Sequence, residues 1–328
     1  MSKCLVTGAG GFIGGHLVAR LINDHHDVRA VDLKPFHKWW QIHEQSYNWE
    51  RVDLKDLWNC QDACRDIEIV YNLAADMGGI GFIESHKSEC MLSVLINTNM
   101  LRATTSTKVK RYLYTSSACV YHAMRQNDPS ATALCEDDAY YNGGAMPEDG
   151  YGWEKLFSER MCRHFREDYG IQTRIARLHN IYGPMGTWEG GREKAPAAIC
   201  RKVAEAKFIG KQQIEVWGDG SSTRSFCWVE DCIEGLIRLA HSECVEPINI
   251  GSSELVSINQ LIDIVEDVAQ YQVVRRYDFN KPQGVKGRNS DNTKILATLD
   301  WQPSTPLRNG LERTYHWIEE QIRGREQT

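Results

Sequence analysis

The chain has 328 residues, of which 42% are hydrophobic and 25% charged, values that exclude disordered and fibrous classes and provide for one large or two modest domains. Lys plus Arg number 38 against 44 Asp plus Glu, a formal charge of −6; a nucleic-acid partner is therefore not expected, and an anionic ligand must be held by locally placed cations. No uncharged stretch reaches the roughly 18–20 apolar residues of a membrane helix. The chain opens on an apolar strand without a basic leader, so no membrane partner and a cytoplasmic location are expected. The eleven cysteines are odd in number and include no C-x-x-C pair. No disulfide framework and no metal site is expected, and most of them read as small buried apolar residues.

In chain order, residues 3–7 and 28–32 read as buried strands, and between them Phe12, Ile13, Leu17, Val18, Leu21 and Ile22 recur at helical spacing. A third strand precedes Asp53, and residues 67–74, 111–117 and 173–178 continue the series. Phe157, Met161 and Phe165, four apart after Tyr151, mark one face of a second clear helix. Strands alternating with helices of this length predict an α/β fold, a doubly wound parallel sheet of Rossmann type over residues 1–180. Beyond about residue 180, Gly, Pro and Trp become dense and the alternation turns irregular. Residues 214–217 and 247–250 read as strands flanking a helix near 230–241, and a helix near 307–324 ends in a charged, frayed tail. A smaller C-terminal substrate-binding lobe over 181–328 is expected, with segments near 222–250 returning to the sheet.

Gly8-Ala-Gly-Gly11-Phe-Ile-Gly14 follows the first strand and opens the first helix. Such a turn takes glycine for its tightness, for close backbone approach to a pyrophosphate and for helix–strand packing, while the helix N-terminus stabilises the phosphate charge. Gly8, Gly11, Phe12, Ile13 and Gly14 are therefore candidate cofactor residues. Asp32 ends the second strand, where a carboxylate accepts hydrogen bonds from the adenosine ribose and repels a 2′-phosphate, so NAD is expected over NADP. Asp53 and Leu54 are candidates to close over the adenine.

The Gly-x-x-Gly-x-x-Gly spacing resembles that of the extended short-chain dehydrogenase/reductase superfamily, which implies a catalytic Ser–Tyr–Lys set. Ser117 ends the fifth strand, and Tyr151-Gly-Trp-Glu-Lys155 supplies Tyr-x-x-x-Lys. Positions i and i+4 share a helix face, and a cation beside a phenol is expected to lower its pKa from about 10. Tyr151 would then take a hydroxyl proton while NAD takes the hydride from the same carbon. Dehydratases of the superfamily resemble one another in a carboxylate just after the serine. Residues 117–121 here read Ser-Ala-Cys-Val-Tyr, so dehydration is not expected. Simple 4-epimerases commonly have Thr or Ser where Cys119 stands, and a thiol adds nothing to hydride transfer. It does make sense where protons leave carbon. A C4 ketone acidifies the hydrogens on C3 and C5, and a partly ionised thiol on one face with an ammonium on the other would exchange them. Lys194 is the candidate ammonium, and its nearness is expected to lower the thiol pKa.

At these residues the chain resembles the GDP-mannose 3,5-epimerase family. The resemblance is carried by residues 72–83 (Asn-Leu-Ala-Ala-Asp-Met-Gly-Gly-Ile-Gly-Phe-Ile), 116–121 (Ser-Ser-Ala-Cys-Val-Tyr), 179–184 (His-Asn-Ile-Tyr-Gly-Pro), 186–198 (Gly-Thr-Trp-Glu-Gly-Gly-Arg-Glu-Lys-Ala-Pro-Ala-Ala), 217–220 (Trp-Gly-Asp-Gly) and 287–291 (Gly-Arg-Asn-Ser-Asp). It implies Cys119 and Lys194 as the acid/base pair at C5 and C3, Tyr151 and Lys155 working at C4, and a GDP-sugar substrate giving GDP-L-galactose and GDP-L-gulose. It places Gly78, Ser117, Ala118, Asn180, Glu193, Ala195, Lys202, Thr223, Arg224 and Arg288 around that substrate. It also implies a homodimer through helices near 89–105 and 152–169. After Tyr121 a short proline-containing turn is expected, where this chain has residues 122–129 (His-Ala-Met-Arg-Gln-Asn-Asp-Pro), a loop that would line the sugar pocket differently.

The basic members have an independent physical reading. Arg224 and Arg288 fall in Gly/Ser-rich segments that read as loops, where guanidinium forks bind phosphate oxygens. Lys202 lies on an amphipathic stretch, and His179 reads as a packed core histidine rather than a base. Two other functions are compatible with parts of the pattern. A nucleotide-sugar 4-epimerase would not need Cys119, and a non-catalytic NAD-sensing module would need neither Tyr151 with Lys155 nor Cys119 with Lys194.

Overall fold

The computed structural model describes residues 1–130 and 133–325; the tail expected beyond Arg325 lies outside them. In chain order the strands are β1 (Lys3–Thr7), β2 (Asp27–Val31), β3 (Tyr47–Trp49), β4 (Ile69–Asn72), β5 (Arg111–Ser117), β6 (Gln172–Leu178), β7 (Ile181–Tyr182), β8 (Gln213–Trp217), β9 (Thr223–Ser225), β10 (Cys227–Trp228), β11 (Ile248–Ile250), β12 (Leu255–Ser257), β13 (Val274–Asp278) and β14 (Gly287–Arg288). The helices are α1 (Phe12–Asn23), α2 (Leu57–Ala63), α3 (Ile80–Ser85), α4 (Lys87–Met91), α5 (Ser93–Thr104), α6 (Asp149–Tyr169), α7 (Ala195–Phe208), α8 (Val229–His241), α9 (Ile258–Ala269), α10 (Thr293–Leu299) and α11 (Leu307–Arg325).

Seven strands form one sheet in the order β11-β6-β5-β4-β1-β2-β3, parallel throughout. Successive side chains of a strand point to opposite faces, and each face has its own core. Cys4 and Val6 of β1 join the core under α1 and α8, whereas Leu5 between them joins the core under α2, α5 and α6. Burial on both faces explains why β1 and β4 read as unbroken apolar runs. The chain leaves β1 towards β2 and β3, then crosses back to β4, so the switch point of the sheet lies between β1 and β4. The first core runs on into α7, α9 and α11, where Val203, Leu261, Val265, Leu311 and Ile318 are buried. After β10 the chain is again at the sheet: α8 packs on it and β11 pairs with β6.

The differences from the expected elements are local. The helix expected over 89–105 is broken at Leu92 into α4 and α5, and α6 begins at Asp149, before Tyr151. Met161 and Phe165 of its predicted apolar face pack on the core, but Phe157 is exposed. Nine of the eleven cysteines are buried, Cys135 and Cys244 being the exceptions. No helix among the described residues is long and apolar enough to cross a membrane.

One buried ion pair fixes α6 to the sheet. Arg177 of β6 donates from Nε and Nη2 to the two carboxylate oxygens of Glu159 at 2.9 and 2.7 Å, Ser116 donates to the same carboxylate at 2.6 Å, and both charged side chains are almost fully buried. A buried charge that loses its partner is costly. Glu159→Ala is expected to destabilise the protein by about 3–5 kcal/mol in urea unfolding, while Ser116→Ala, which leaves the pair intact, costs about 1 kcal/mol.

Candidate active site

The turn between β1 and α1 fits a dinucleotide. Gly8 has φ +67°, a left-handed conformation, and a Cβ on Gly14 would stand 2.2 Å from the Gly8 carbonyl oxygen. The N-cap of α1 is Gly11, with no side chain to occupy the first amides, so these point to where a pyrophosphate would lie. Ile13 packs against the core, and Phe12 stands edge-on to His16 at 5.6 Å. Asp32 lies one residue past β2, and its carboxylate accepts from Gly10 N at 3.0 Å and Lys34 N at 2.9 Å. It therefore sits against the glycine turn. Beyond β3, Leu54 is buried in the second core, while Asp53 accepts from Lys55 N and is not the cap of α2, which is Asp56. At the switch point the Thr7 hydroxyl donates to Asn72 Oδ1 at 2.7 Å and accepts from Leu73 N and Ala74 N, tying the ends of β1 and β4 together.

Ser117 ends β5, and its hydroxyl accepts from Cys119 N at 3.2 Å, capping the short turn 118–120. Against that turn lies the first turn of α6. Glu148 N donates to the Cys119 carbonyl at 2.8 Å, and a Cβ on Gly152 would lie 2.4 Å from the same oxygen, so glycine at 152 is what admits the approach. Tyr151 and Lys155 follow on the buried face. Lys155 Nζ donates to the Thr115 carbonyl at 3.1 Å and lies 4.8 Å from the ring centroid of Tyr114 and 5.7 Å from that of Tyr151. Burial, aided by the nearby Cys119 and Glu154, pushes the Tyr151 phenol well up, and its hydrogen bond with Ser117 opposes this only in part. The lowering expected from Lys155 does not prevail, because the ammonium is spent on a carbonyl and burial dominates.

Ser117, Cys119 and Tyr151 open onto a cavity of about 440 Å³, whose wall also includes Gly78, Ala118, Asn180, Glu193, Lys194, Ala195, Lys202, Arg224 and Arg288. Gly78 belongs to a segment clamped over the site, where Gly79 N donates to the Arg192 carbonyl at 3.0 Å and Arg192 pairs with Asp76 at 3.0 Å. Glu193 is held by Arg201 and by Gly191 N, Lys194 caps α7 and Ala195 begins it, and Lys202 on the same helix donates to the Glu215 carbonyl. Asn180, at φ +44°, donates to the Ser225 carbonyl at 2.9 Å. Thr223 is not on the wall: its hydroxyl donates to the Pro129 carbonyl, holding down the loop after Tyr121. His179 is a core residue, bonded to Asn249 at 2.9 Å and driven by burial to a pKa of about 3.

Arg224 and Arg288 are not in loops. They are register partners on the paired strands β9 and β14, two guanidinium groups side by side. Burial first, then the charge of Arg288, lowers the Arg224 pKa to about 10. Burial also lowers Lys194, with Arg288 adding to the effect and Cys119 opposing it. Like charges held together and dried out call for an anion. Cys119 differs from expectation. Burial and the Glu148 carboxylate raise its thiol to about 11, and the cation that opposes them is Arg288 rather than Lys194. Glu148, also on the cavity wall, was not identified in the sequence: three residues before Tyr151, an acidic residue reads as a helix cap. Gln126, which accepts from Arg288 Nε at 2.6 Å, carries no local signal.

An uncapped glycine turn at the switch point of a Rossmann sheet, next to a Ser–Tyr–Lys set, defines an NAD-dependent enzyme of the extended short-chain dehydrogenase/reductase class. Residues 4–251 match the family described as NAD dependent epimerase/dehydratase. Over 324 residues, covering 97% of this chain and 82% of the relative, the sequence is 44% identical to GDP-mannose 3,5-epimerase 1 of Oryza sativa subsp. indica. Among solved structures it is similar to UDP-glucose 4-epimerase of Thermotoga maritima with UDP-glucose (TM-score 0.84, 20% identity, 98% of this chain and 99% of that chain). It is similar also to UDP-glucuronic acid 4-epimerase of Bacillus cereus with UDP-glucuronic acid and NAD (TM-score 0.81, 25% identity, 97% and 99%). The chain belongs to the NAD dependent epimerase/dehydratase family, and within it stands with the GDP-mannose 3,5-epimerases. A side chain at Gly14 would block the turn that a pyrophosphate needs. Gly14→Ala is expected to weaken NAD binding at least tenfold in a fluorescence titration.

Proposed function

We propose that this enzyme converts GDP-mannose to GDP-L-galactose and GDP-L-gulose. The observation that carries the reading is that Cys119 and Lys194 line one cavity with Tyr151. Hydride transfer at C4 needs neither a thiol nor an amine; proton exchange at the neighbouring carbons uses both. The 44% identity to a relative named for this activity supports the same reading.

Gly8, Gly11, Phe12, Ile13 and Gly14 would hold the pyrophosphate of NAD, Asp32 the adenosine ribose, Asp53 and Leu54 the adenine, and Tyr151 and Lys155 the nicotinamide end. When bound, the cofactor supplies a hydride acceptor at C4 and returns the hydride at the end, so no net redox appears. Arg224 and Arg288, adjacent on β9 and β14, take the diphosphate, helped by Lys202; Gly78, Ala118, Asn180, Glu193 and Ala195 surround the rest of the substrate. Tyr151, with Ser117 at its hydroxyl, would accept the C4 hydroxyl proton once the positive charge of bound NAD offsets the burial that keeps the free phenol protonated. The C4 ketone then acidifies C5 and C3, and Cys119 and Lys194 remove and return a proton there, one on each face, with the ring flipping between the two centres. Lys194 suits this role because burial brings its pKa down from the usual lysine value, which makes the free amine accessible.

Residues 1–180, with the returning segments near 222–250, would serve the cofactor, and 181–328 mainly the substrate. Met91, Leu92 and Leu95 around the α4–α5 break and Trp153 and Phe157 on α6 are all 42–52% exposed. An apolar group of this kind on adjacent helices fits a homodimer interface, and we place the protein in the cytoplasm.

NMR of GDP-mannose incubated with the enzyme in deuterated water tests the activity. Deuterium at C3 and C5 with galactose- and gulose-configured products is expected; a product inverted at C4 without deuterium would make it a 4-epimerase. Cys119→Ser is expected to lower deuterium incorporation at least 100-fold, whereas a 4-epimerase would keep its rate. For the interface, Phe157→Glu is expected to halve the mass measured by light scattering.

A further inference from the structure

Glu148 sits where it ought to be unwelcome. A carboxylate on the wall of a cavity that takes a diphosphate repels the ligand, and at the N-cap position of α6 its side chain makes no cap hydrogen bond. It is turned inward instead. Arg288 Nη2 donates to Glu148 Oε2 at 2.8 Å and Arg288 Nη1 donates to Sγ of Cys119 at 3.7 Å, so one guanidinium bridges the carboxylate and the thiol. The third edge of the guanidinium is held by Gln126, from the loop after Tyr121. That loop is pinned in turn by Lys286 N on the Gln126 carbonyl at 2.9 Å. Carboxylate and thiol are thus joined through one guanidinium, which Gln126 keeps in register.

We propose that Glu148 is a positioning residue for proton transfer at Cys119, holding Arg288 beside the sulfur and setting its own negative charge against a thiolate, so that the proton rests on Sγ in the substrate-free enzyme. The inference rests on the reading of Cys119 as a proton-transfer group. The groups facing the thiol are Glu148 and Tyr151 from the start of α6, Ser117 from β5, Arg288 from β14, with Arg224 beside it on β9, Lys194 from the cap of α7 and the Cys90 thiol from α4. Of these, Glu148 is the one carboxylate, and it pairs with the cation that lies against the sulfur. Against its burial, Arg288 holds the Glu148 carboxyl below the usual carboxylate range, so it is charged wherever the enzyme works.

Glu148→Gln isolates the charge, because an amide oxygen still accepts from Arg288 and Gln126 still holds the guanidinium. The readout is alkylation of Cys119 by iodoacetamide in the NAD-loaded, substrate-free enzyme, followed by mass spectrometry of the Cys119 peptide across pH. Loss of the charge makes the thiolate about tenfold more abundant for each tenfold fall in its proton affinity. Lower intrinsic nucleophilicity offsets part of this, so alkylation at pH 8 is expected to be about threefold to fivefold faster, with the midpoint of the profile moved to lower pH. Glu148→Asp, which keeps the charge but draws it back from the sulfur, is expected to fall between Gln and wild type. An unchanged profile in either variant, with an unchanged melting temperature, would overturn the proposal and leave Glu148 as an anchor for Arg288 alone. The deuterium experiment needs substrate and the alkylation experiment does not, so each can fail without the other.

Discussion

The site depends on one close contact, that of the first turn of α6 with the turn that ends β5. Glu148 N bonds the Cys119 carbonyl, and Gly152 lets the helix come within a distance that any Cβ would forbid. Ser117 and Cys119 sit on one side of this contact, Tyr151 and Lys155 on the other. A set of reacting groups needs its members fixed to a fraction of an ångström, and here two elements more than thirty residues apart meet through a backbone hydrogen bond at a glycine, with Lys155 Nζ on the Thr115 carbonyl adding a side-chain tie. The buried Arg177–Glu159 pair, two turns further along α6, secures the same helix against β6.

Electrostatics does the remaining sorting. The protein carries a net charge of −6, yet its cavity gathers Lys194, Lys202, Arg224 and Arg288, and the pairing of β9 with β14 puts two of them next to each other. Burial takes water from these cations, so each is more responsive to the next charge that arrives. Gathering cations in a dry pocket favours an anion beside them and lowers the cost for a lysine of giving up its proton. The same dryness works against the thiol and the phenol, whose anionic forms it disfavours. Cys119 and Tyr151 therefore carry their protons in the substrate-free protein, and the nearby Arg288 and Ser117 moderate that preference without reversing it.

Much of this was legible in the amino-acid order because it is local. The glycine turn, the strand that ends in Ser117 and the i, i+4 spacing of Tyr151 and Lys155 are each contained in a few residues, and the structure has them at or within a residue or two of the expected bounds. Segments with a long continuous resemblance also led to the cavity: Gly78, Asn180, Glu193 and Lys194 are on its wall. Thr223, adjacent to Arg224, is not, since neighbours on a strand point to opposite sides. Arg224 and Arg288 read as loop residues because β9 and β14 are only three and two residues long, too short to show a period. The loop after Tyr121 had no pattern at all, and its Gln126 turns out to be fully buried against Arg288.

The sequence by itself determined the class of fold, the cofactor and the identities of the candidate site residues, because backbone conformation and side-chain chemistry are properties of short segments. The tertiary structure decided their proton affinities and their partners. Whether a thiol is lowered by a lysine or raised by a glutamate depends on which side chain stands beside it and how much water remains, and for Cys119 the answer comes from residues 29 and 169 positions away along the chain. Those neighbours meet only when α6, β5 and β14 converge on one cavity, an arrangement set by packing over the whole sheet and encoded in no single stretch of it.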